Sequence, residues 1–130
     1  MARRLSIWHR EPIVARIMRF LFKILTVAEW ASAVEGGAFL GSAVDLRDGF
    51  IHLSAAHQVA GTAARHFAGH DGLVLAAFPE DRLPGLKWEP SRGGELFPHV
   101  YGAIPVTAAA WVKALPLAGG AHRFPDGTTK

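Results

Sequence analysis

The sequence predicts an α+β domain, because helix-forming and strand-forming segments are separated along the chain. In the first half, two segments with apolar residues three or four positions apart alternate with short apolar runs, which is the pattern of amphipathic helices between strands. In the second half, short extended segments follow one another between glycines and prolines. The predicted order is β-α-β-α-β followed by three strands, which is typical of α+β folds and differs from a doubly wound sheet.

Length and composition indicate one folded domain. The chain has 130 residues, half of them hydrophobic, and it contains no cysteine. A chain of this length can bury one core, and the lack of cysteine excludes disulfides, thiol nucleophiles and thiolate zinc sites. It also fits a reducing compartment, so we expect a cytoplasmic protein. No apolar run approaches the ~20 residues of a membrane-spanning helix, so no membrane partner is expected.

The basic charge of the chain lies in its first 17 residues. They hold four arginines and one glutamate, which accounts for the net charge of +3, whereas the rest holds ten basic and ten acidic residues. The core therefore lacks the positive surface of a nucleic-acid-binding domain. Charged residues interrupt each apolar run before it reaches the length of a secretory signal. We expect residues 1–17 to be a basic arm or, preferably, a mis-assigned start before Met18, followed by a domain over 18–125 and a loose C-terminus at 126–130.

The first strand and helix are predicted from local signals. Residues 19–25 are rich in aromatic and branched side chains, which favour a strand. Thr26 and Glu29 have the spacing of a capping box, in which a hydroxyl and a carboxylate bind the free N–H groups at a helix start. Gly36 and Gly37 predict the helix end. The apolar stripe expected to cover a sheet consists of Val27, Trp30, Ala31 and Val34.

Residues 45–54, DLRDGFIHLS, carry the most specific signal in the chain. Asp48-Gly49 is a turn dipeptide, because glycine adopts positive φ, so we expect the chain to reverse there. Residues 50–53 then form a strand in which His52 points away from its two apolar neighbours. Ser54 is predicted to cap the second helix, whose expected apolar face consists of Ala56, Val59, Ala60, Ala63, Ala64 and Phe67.

The remaining strands are predicted from apolar runs between glycines and prolines. Residues 73–78 are continuously apolar, which predicts a central strand that is buried on both faces and ends at Pro79. Three shorter extended segments are expected at residues 86–89, 100–104 and 110–115.

Two segments supply the candidate site residues. His52 and His99 are the candidate general acid or base, with Glu89 to orient a histidine or stabilise charge. The candidate ligand-binding residues lie beside them in polar loops, where sites usually occur: Arg47, Asp48, Ser54, Trp88, Arg92 and Tyr101. Each buried polar group without a partner costs about 1–3 kcal/mol. We therefore expect His52, His99 and Glu89 to line one cleft, where they can satisfy one another or a ligand.

Three classes of function stay open on these residues. An enzyme would act on a nucleotide-like or small anionic substrate through the two histidines, with Trp88 or Tyr101 stacking on it. A binding module would hold the same small molecule without turnover. A structural or interaction protein would use the same residues to stabilise its fold, since a strand histidine is often a hydrogen-bonded core residue.

Several well-known motifs are absent from the sequence. It lacks the Gly-x-Ser-x-Gly segment of many hydrolases, the P-loop and the dinucleotide glycine motif. His66 and His70 are four residues apart, but no carboxylate stands between them as in zinc proteases, so no metal site is predicted.

The chain resembles an uncharacterised bacterial family, domain of unknown function 952. The resemblance covers Met18 to about Pro125 in order, and it rests on Phe22-Lys23-Ile24-Leu25-Thr26, Glu29-Trp30, Asp48 to Ser54, Trp88-Glu89 and Phe97 to Gly102. It implies no particular activity.

A second resemblance concerns one strand. Phe50-Ile51-His52-Leu53-Ser54 is similar to the His-Val-His-Leu-Ser strand of RNA 2′-phosphotransferases, which have an ADP-ribosyltransferase fold and use NAD. This resemblance implies a bent β sheet with two helices packed on it, and NAD as a cofactor. The Tyr-His-Gly-Thr strand of those enzymes is replaced here by residues 22–26, and their N-terminal arginine and histidine motifs have no counterpart.

Overall fold

The computed structural model describes residues 19–128, so the expectations for residues 1–17 lie outside the described residues. Three helices are present in the described chain: α1 (Val27–Gly36), α2 (Ala43–Asp48) and α3 (Ala56–His66). The strands are β1 (Phe20–Thr26), β2 (Ala38–Phe39), β3 (Ile51–His52), β4 (Leu73–Pro79), β5 (Leu86–Pro90), β6 (Leu96–Val100), β7 (Ile104–Pro105), β8 (Trp111–Leu115), β9 (Leu117–Ala118) and β10 (Ala121–His122).

Between residues 19 and 128, all strand pairs are antiparallel and form four small sheets. Two sheets have three strands, in the orders β1-β4-β8 and β3-β6-β5, and the pairs β2-β7 and β9-β10 form two-stranded ribbons. A bridge between Phe22 and Ser54 connects β1 to the segment after β3. The α+β class is confirmed, with three helices where the sequence predicted two.

Strand β4 is the centre of the core, as its continuous apolar run predicted. It lies between β1 and β8. Its side chains alternate between two buried clusters, because successive strand residues point to opposite faces. Ala76 and Phe78 belong to one cluster, and Leu75 and Ala77 belong to the other. Burial on both faces explains why the strand contains no polar residue.

The capping box of α1 is confirmed, but its predicted buried face is wrong. Glu29 N donates to Thr26 Oγ1 at 3.0 Å, and Thr26 N donates to Glu29 Oε1 at 2.8 Å. Val27 and Val34 are 56% and 54% exposed, whereas Ala33 is buried and Trp30 packs on the core. The helix carries apolar residues all around, so the position of its neighbours β1, β2 and β4, and not the sequence pattern, selects the buried face.

The predicted polar turn before His52 is instead the short helix α2. Ser42 Oγ accepts from Asp45 N at 3.4 Å, and Asp45 Oδ2 accepts from Ser42 N at 2.9 Å, so the helix begins with its own capping box. Gly49 ends it with φ of 88°, the positive value expected at this dipeptide. The strand that follows is shorter than predicted, with Phe50 before it and only residues 51–52 within it.

Ser54 does not cap α3, contrary to the prediction. The N-cap is Ala55, whose N–H donates to Gln58 Oε1 at 3.0 Å. The backbone of Ser54 is held in the bridge to Phe22, and its buried hydroxyl bonds Thr62 Oγ1 at 2.9 Å. Of the predicted apolar face of this helix, Val59 and Ala63 are buried, Ala56 and Phe67 are half-buried, and Ala60 and Ala64 are exposed.

The predicted strand over residues 100–104 is wrong. Strand β6 ends at Val100, the chain turns at residues 101–103, and β7 begins at Ile104. The turn is anchored by Tyr101 N, which donates to Gly85 O at 3.0 Å. Pro98 lies inside β6, opposite Trp88 of β5.

The expected loose C-terminus at 126–130 stays a prediction. Within it, Thr128 is buried, and its hydroxyl donates to Pro125 O at 2.7 Å. Among the described residues, no helix combines the length and the apolar character needed to cross a membrane.

Candidate functional site

The two candidate histidines face each other on neighbouring strands. His52 of β3 and His99 of β6 are register partners, so their side chains lie on the same face of the sheet. Their ring centroids are 5.5 Å apart at an interplanar angle of 70°. The ring of Phe50 stacks on His99 at 4.1 Å and lies tilted against His52 at 4.6 Å. We call His52 and His99 the histidine pair.

A buried carboxylate holds one nitrogen of His52. Asp45 of α2 is 2% exposed, and its Oδ1 accepts from His52 Nδ1 at 2.6 Å and from His52 N at 3.1 Å. Lys23 of β1 lies on the other side of this carboxylate, with Nζ 2.9 Å from Asp45 Oδ2, and it also donates to His52 O at 2.9 Å. Asp45 therefore connects β1, α2 and β3, and it orients the imidazole.

Asp45 and Lys23 behave as an ion pair. Burial by itself raises the pKa of Asp45, but the hydrogen bond from His52 and the charge of Lys23 outweigh burial and hold the pKa well below its usual value. Burial lowers the pKa of Lys23, because the charged ammonium loses water, and Asp45 opposes that shift. Asp45 is consequently ionised at neutral pH, and it compensates the buried lysine.

The second ring nitrogen of His52 also meets a carboxylate. His52 Nε2 is 3.0 Å from Asp48 Oδ2. Carboxylates only accept hydrogen bonds, so only the protonated form of the ring, with a proton on each nitrogen, can donate to both carboxylates. Asp48 further accepts from Arg47 Nε at 3.0 Å, and this hydrogen bond is the main cause of the lowered pKa of Asp48.

His99 is held by a second carboxylate. Its Nδ1 donates to Glu89 Oε1 at 2.7 Å, and the Tyr101 hydroxyl donates to Glu89 Oε1 and Oε2 at 2.9 and 3.1 Å. These contacts lower the pKa of Glu89, with the bond from His99 as the larger cause, and the bond to Glu89 raises the pKa of Tyr101. His99 is 4% exposed, and its Nε2 is buried without a partner in the described part of the chain.

Three of the predicted site residues lie elsewhere. Trp88 alternates with Glu89 along β5 and lies on the opposite face of the sheet, where it packs on the core and donates to Glu80 Oε2 at 3.1 Å. Ser54 bonds α3, and the Arg92 guanidinium lies 5.2 Å from the ring centroid of Phe97. Trp88 instead borders a cleft of about 380 Å³ that is not lined by His52, His99 or Glu89; its lining residues are Arg19, Phe20, Phe22, Ala55, Ala56, His57, Trp88, Gly127 and Thr128.

Three residues of the cluster are not among the predicted site residues: Lys23, Asp45 and Phe50. A lysine within an apolar run, such as Lys23, needs a buried counter-charge. A signal for Asp45 was present in the Ser42-x-x-Asp45 spacing of a helix start. Across residues 19–128, no group of three or more His, Asp or Glu side chains is placed to hold a metal ion.

The fold and the cluster define a small α+β domain with two carboxylate-bound histidines side by side. The chain belongs to the family described as protein of unknown function DUF952, whose model matches residues 24–112. No match was found among curated proteins.

The chain is also similar to solved structures of protein CC0527 from Caulobacter crescentus. A crystal structure of that protein is 47% identical in sequence, and the similarity covers 80% of this chain and 93% of the other with a TM-score of 0.76. A crystal structure of a double mutant gives 46% identity with the same coverage and TM-score. A solution NMR structure gives 47% identity, 79% and 90% coverage and a TM-score of 0.72.

Proposed function

We propose that the protein is an enzyme that moves protons to and from a small anionic or nucleotide-like substrate at the histidine pair. One observation carries this proposal: each histidine has a carboxylate on Nδ1, and the two rings are adjacent. A carboxylate on Nδ1 fixes the tautomer and orientation of an imidazole, and it leaves Nε2 for chemistry.

The two histidines differ in the state of Nε2, which assigns them different roles. His52 Nε2 lies 3.0 Å from Asp48 Oδ2, so in its protonated form this ring is the proposed general acid. His99 donates from Nδ1 to Glu89 and has no partner at Nε2 among the described residues, so in its neutral form this ring is the proposed general base. A buried polar atom without a partner costs about 1–3 kcal/mol. No group among the described residues satisfies this atom, and a substrate that reached it would remove the cost.

The side chains around the pair suit an aromatic or anionic molecule. Phe50 is half-buried and Tyr101 is exposed, so both have ring surface available for stacking. Lys87 Nζ lies 5.3 Å from the ring centroid of Tyr101, and Arg47 lies beside Asp48, so two cations flank the pair. Within this proposal the fold is an ADP-ribosyltransferase-like bent sheet, and NAD, which that resemblance implies, is the first nucleotide to test.

Turnover assays with point variants test the proposal. The purified protein is incubated with NAD, AMP, ADP, 2′,3′-cyclic AMP and p-nitrophenyl phosphate, and products are followed by chromatography and ³¹P NMR. We expect turnover of at least one substrate, with His52→Gln and His99→Gln each lowering kcat by about 10²–10⁴-fold. His70→Gln is the matched control, since His70 is exposed and lies in the loop between α3 and β4, outside the sheet that carries the pair.

Binding measurements separate the remaining classes of function. Thermal shift with the same compounds accompanies each assay, and melting temperatures of the variants show that they are folded. Stabilisation by a ligand without any product would favour a binding module. Neither stabilisation nor product with any compound, together with unfolding of His52→Gln, would favour a structural role and overturn the proposal.

A further inference from the structure

The carboxylate of Asp48 lies between a guanidinium nitrogen of Arg47 and a ring nitrogen of His52. His52 Nε2 is 3.0 Å from Asp48 Oδ2, and Arg47 Nε is 3.0 Å from Asp48 Oδ1. Asp48 is the last residue of α2. A negative charge at a helix C-terminus is unfavourable, so the helix itself does not explain why this carboxylate is there. The contacts with Arg47 Nε and His52 Nε2 explain the position of this carboxylate. The same two nitrogens are placed to bind another oxyanion.

We propose that His52 and Arg47 form a binding seat for an oxyanion of the substrate, a carboxylate or phosphate group, and that Asp48 fills this seat when no ligand is bound. The identity of the occupant as substrate rests on the proposed function. The anion seat itself depends only on the two donors.

The charges around the seat favour an anion once Asp48 has left it. Lys23 is compensated by Asp45, on the far side of the His52 ring. The Arg47 guanidinium and His52 Nε2 then remain without a carboxylate between them. The carboxylate of Glu89 accepts hydrogen bonds from His99 and Tyr101. An incoming oxyanion therefore replaces the charge that Asp48 supplied.

Exposure shows that Asp48 can leave the seat and that Asp45 cannot. The side chains of Asp48 and Arg47 are 31% and 72% exposed, so both can rotate into water without opening the core. The side chain of Asp45 is 1% exposed and is bonded by Lys23 as well as by His52. His52 thus has one permanent carboxylate partner on Nδ1 and one exchangeable partner on Nε2.

Anion titrations of the full chain test the seat. Inorganic phosphate and acetate are titrated into protein labelled with ¹⁵N in its histidine rings, and the shift of the His52 ring gives Kd for each anion. We expect Asp48→Ala to bind at least one of them 10-fold or more tightly than the unsubstituted protein, because the internal competitor is gone. The matched control is Asp81→Ala, which removes an exposed aspartate elsewhere and should leave Kd unchanged.

A second substitution tests whether Arg47 forms part of the seat. Adding Arg47→Gln to Asp48→Ala should remove most of the gained affinity while the fold, followed by melting temperature, is kept. Asp48→Asn keeps the shape of the side chain and should show a gain in the same direction. Tighter phosphate binding would indicate a phosphate ester as substrate, and tighter acetate binding would indicate a carboxylic acid. Either result supports the seat.

The outcomes distinguish the seat from the catalytic proposal. Equal anion affinity in Asp48→Ala and the unsubstituted protein, or a shift confined to other histidines, would overturn the seat. Binding at His52 without turnover of any compound would leave the seat standing and count against the enzyme. Turnover that is unaffected by phosphate and acetate at concentrations that saturate the seat would support the enzyme and overturn the assignment of the seat to the substrate oxyanion.

Discussion

Replacing Asp45 with asparagine tests the centre of the cluster most directly. Asp45 is the counter-charge of Lys23 and also accepts from His52 and from the backbone of Ser42. Asparagine has nearly the same shape, but its NH₂ group cannot accept a hydrogen bond. At least one of the donors now facing the carboxylate would therefore meet another donor, and the buried ammonium would lose its counter-charge.

The expected loss of stability is large for one substitution. Breaking a buried ion pair by removing one partner costs about 3–5 kcal/mol, against a total of about 5–15 kcal/mol for a typical domain. At ~4 °C per kcal/mol for a domain of this size, the melting temperature should fall by roughly 12–20 °C. Urea denaturation should give the same loss in the free energy of unfolding, with an unchanged m-value.

Two further variants complete the experiment. Asp81→Asn makes the same chemical change on the surface and should alter stability by less than about 0.5 kcal/mol. The double variant Lys23→Met with Asp45→Leu replaces the pair by apolar residues, and it should be more stable than Asp45→Asn, because no unpaired charge stays buried. A loss below about 1 kcal/mol in Asp45→Asn would refute the assignment of Asp45 as the buried counter-charge.

The loss of stability caused by Asp45→Asn should depend on pH in a definite direction. The pKa of Asp45 is lowered in the folded protein, so its contribution to stability is fully present above the unfolded value of about 4. That contribution is lost as the pH falls below 4 toward the folded pKa, because the folded carboxylate then takes up a proton. The difference in stability between the unsubstituted protein and Asp45→Asn should therefore shrink as the pH falls below 4.

Two other predictions concern the neighbouring loops. A Cβ on Gly85 would lie 2.4 Å from Tyr101 O, while one on Gly93 would meet nothing within 4 Å, and both glycines have φ near +70°. Gly85→Ala should thus lose clearly more stability in urea than Gly93→Ala, and equal losses would contradict the close approach. Tyr101 is the only tyrosine in the chain, and Glu89 raises its pKa. Glu89→Gln should lower the midpoint of an ultraviolet tyrosine titration, and an unchanged midpoint would contradict the Tyr101–Glu89 bond.

Local signals in the sequence predicted the elements that depend on neighbouring residues. The Thr26 capping box needs only residues three positions apart, and the apolar run of β4 needs only to be buried on both faces. Both predictions are confirmed. The same kind of reasoning also paired His52 with His99, because few polar residues stand inside apolar strands and their burial is costly without partners. The structure brings these two histidines together, while their role as a site stays a proposal.

Where a local signal was ambiguous, the prediction failed for a physical reason. The apolar residues of α1 surround the helix, so only its neighbours β1, β2 and β4 could select Ala33 over Val27 for burial. Ser54 has the residue type of a helix cap, but a backbone bridge to Phe22, 32 positions earlier, holds it in an extended conformation. A tertiary hydrogen bond outweighs a capping preference of about 1 kcal/mol.

The sequence by itself determined the α+β class, the central strand and the turn at Gly49. Only the tertiary structure decided which charges surround the two histidines. Lys23 and Asp45 are 22 residues apart, and their contact joins β1 to α2. Trp88 and Glu89 are adjacent in sequence, yet the alternation of strand side chains puts them on opposite faces of the sheet. Contacts between distant segments depend on how the sheets and helices pack, and no local pattern specifies that packing.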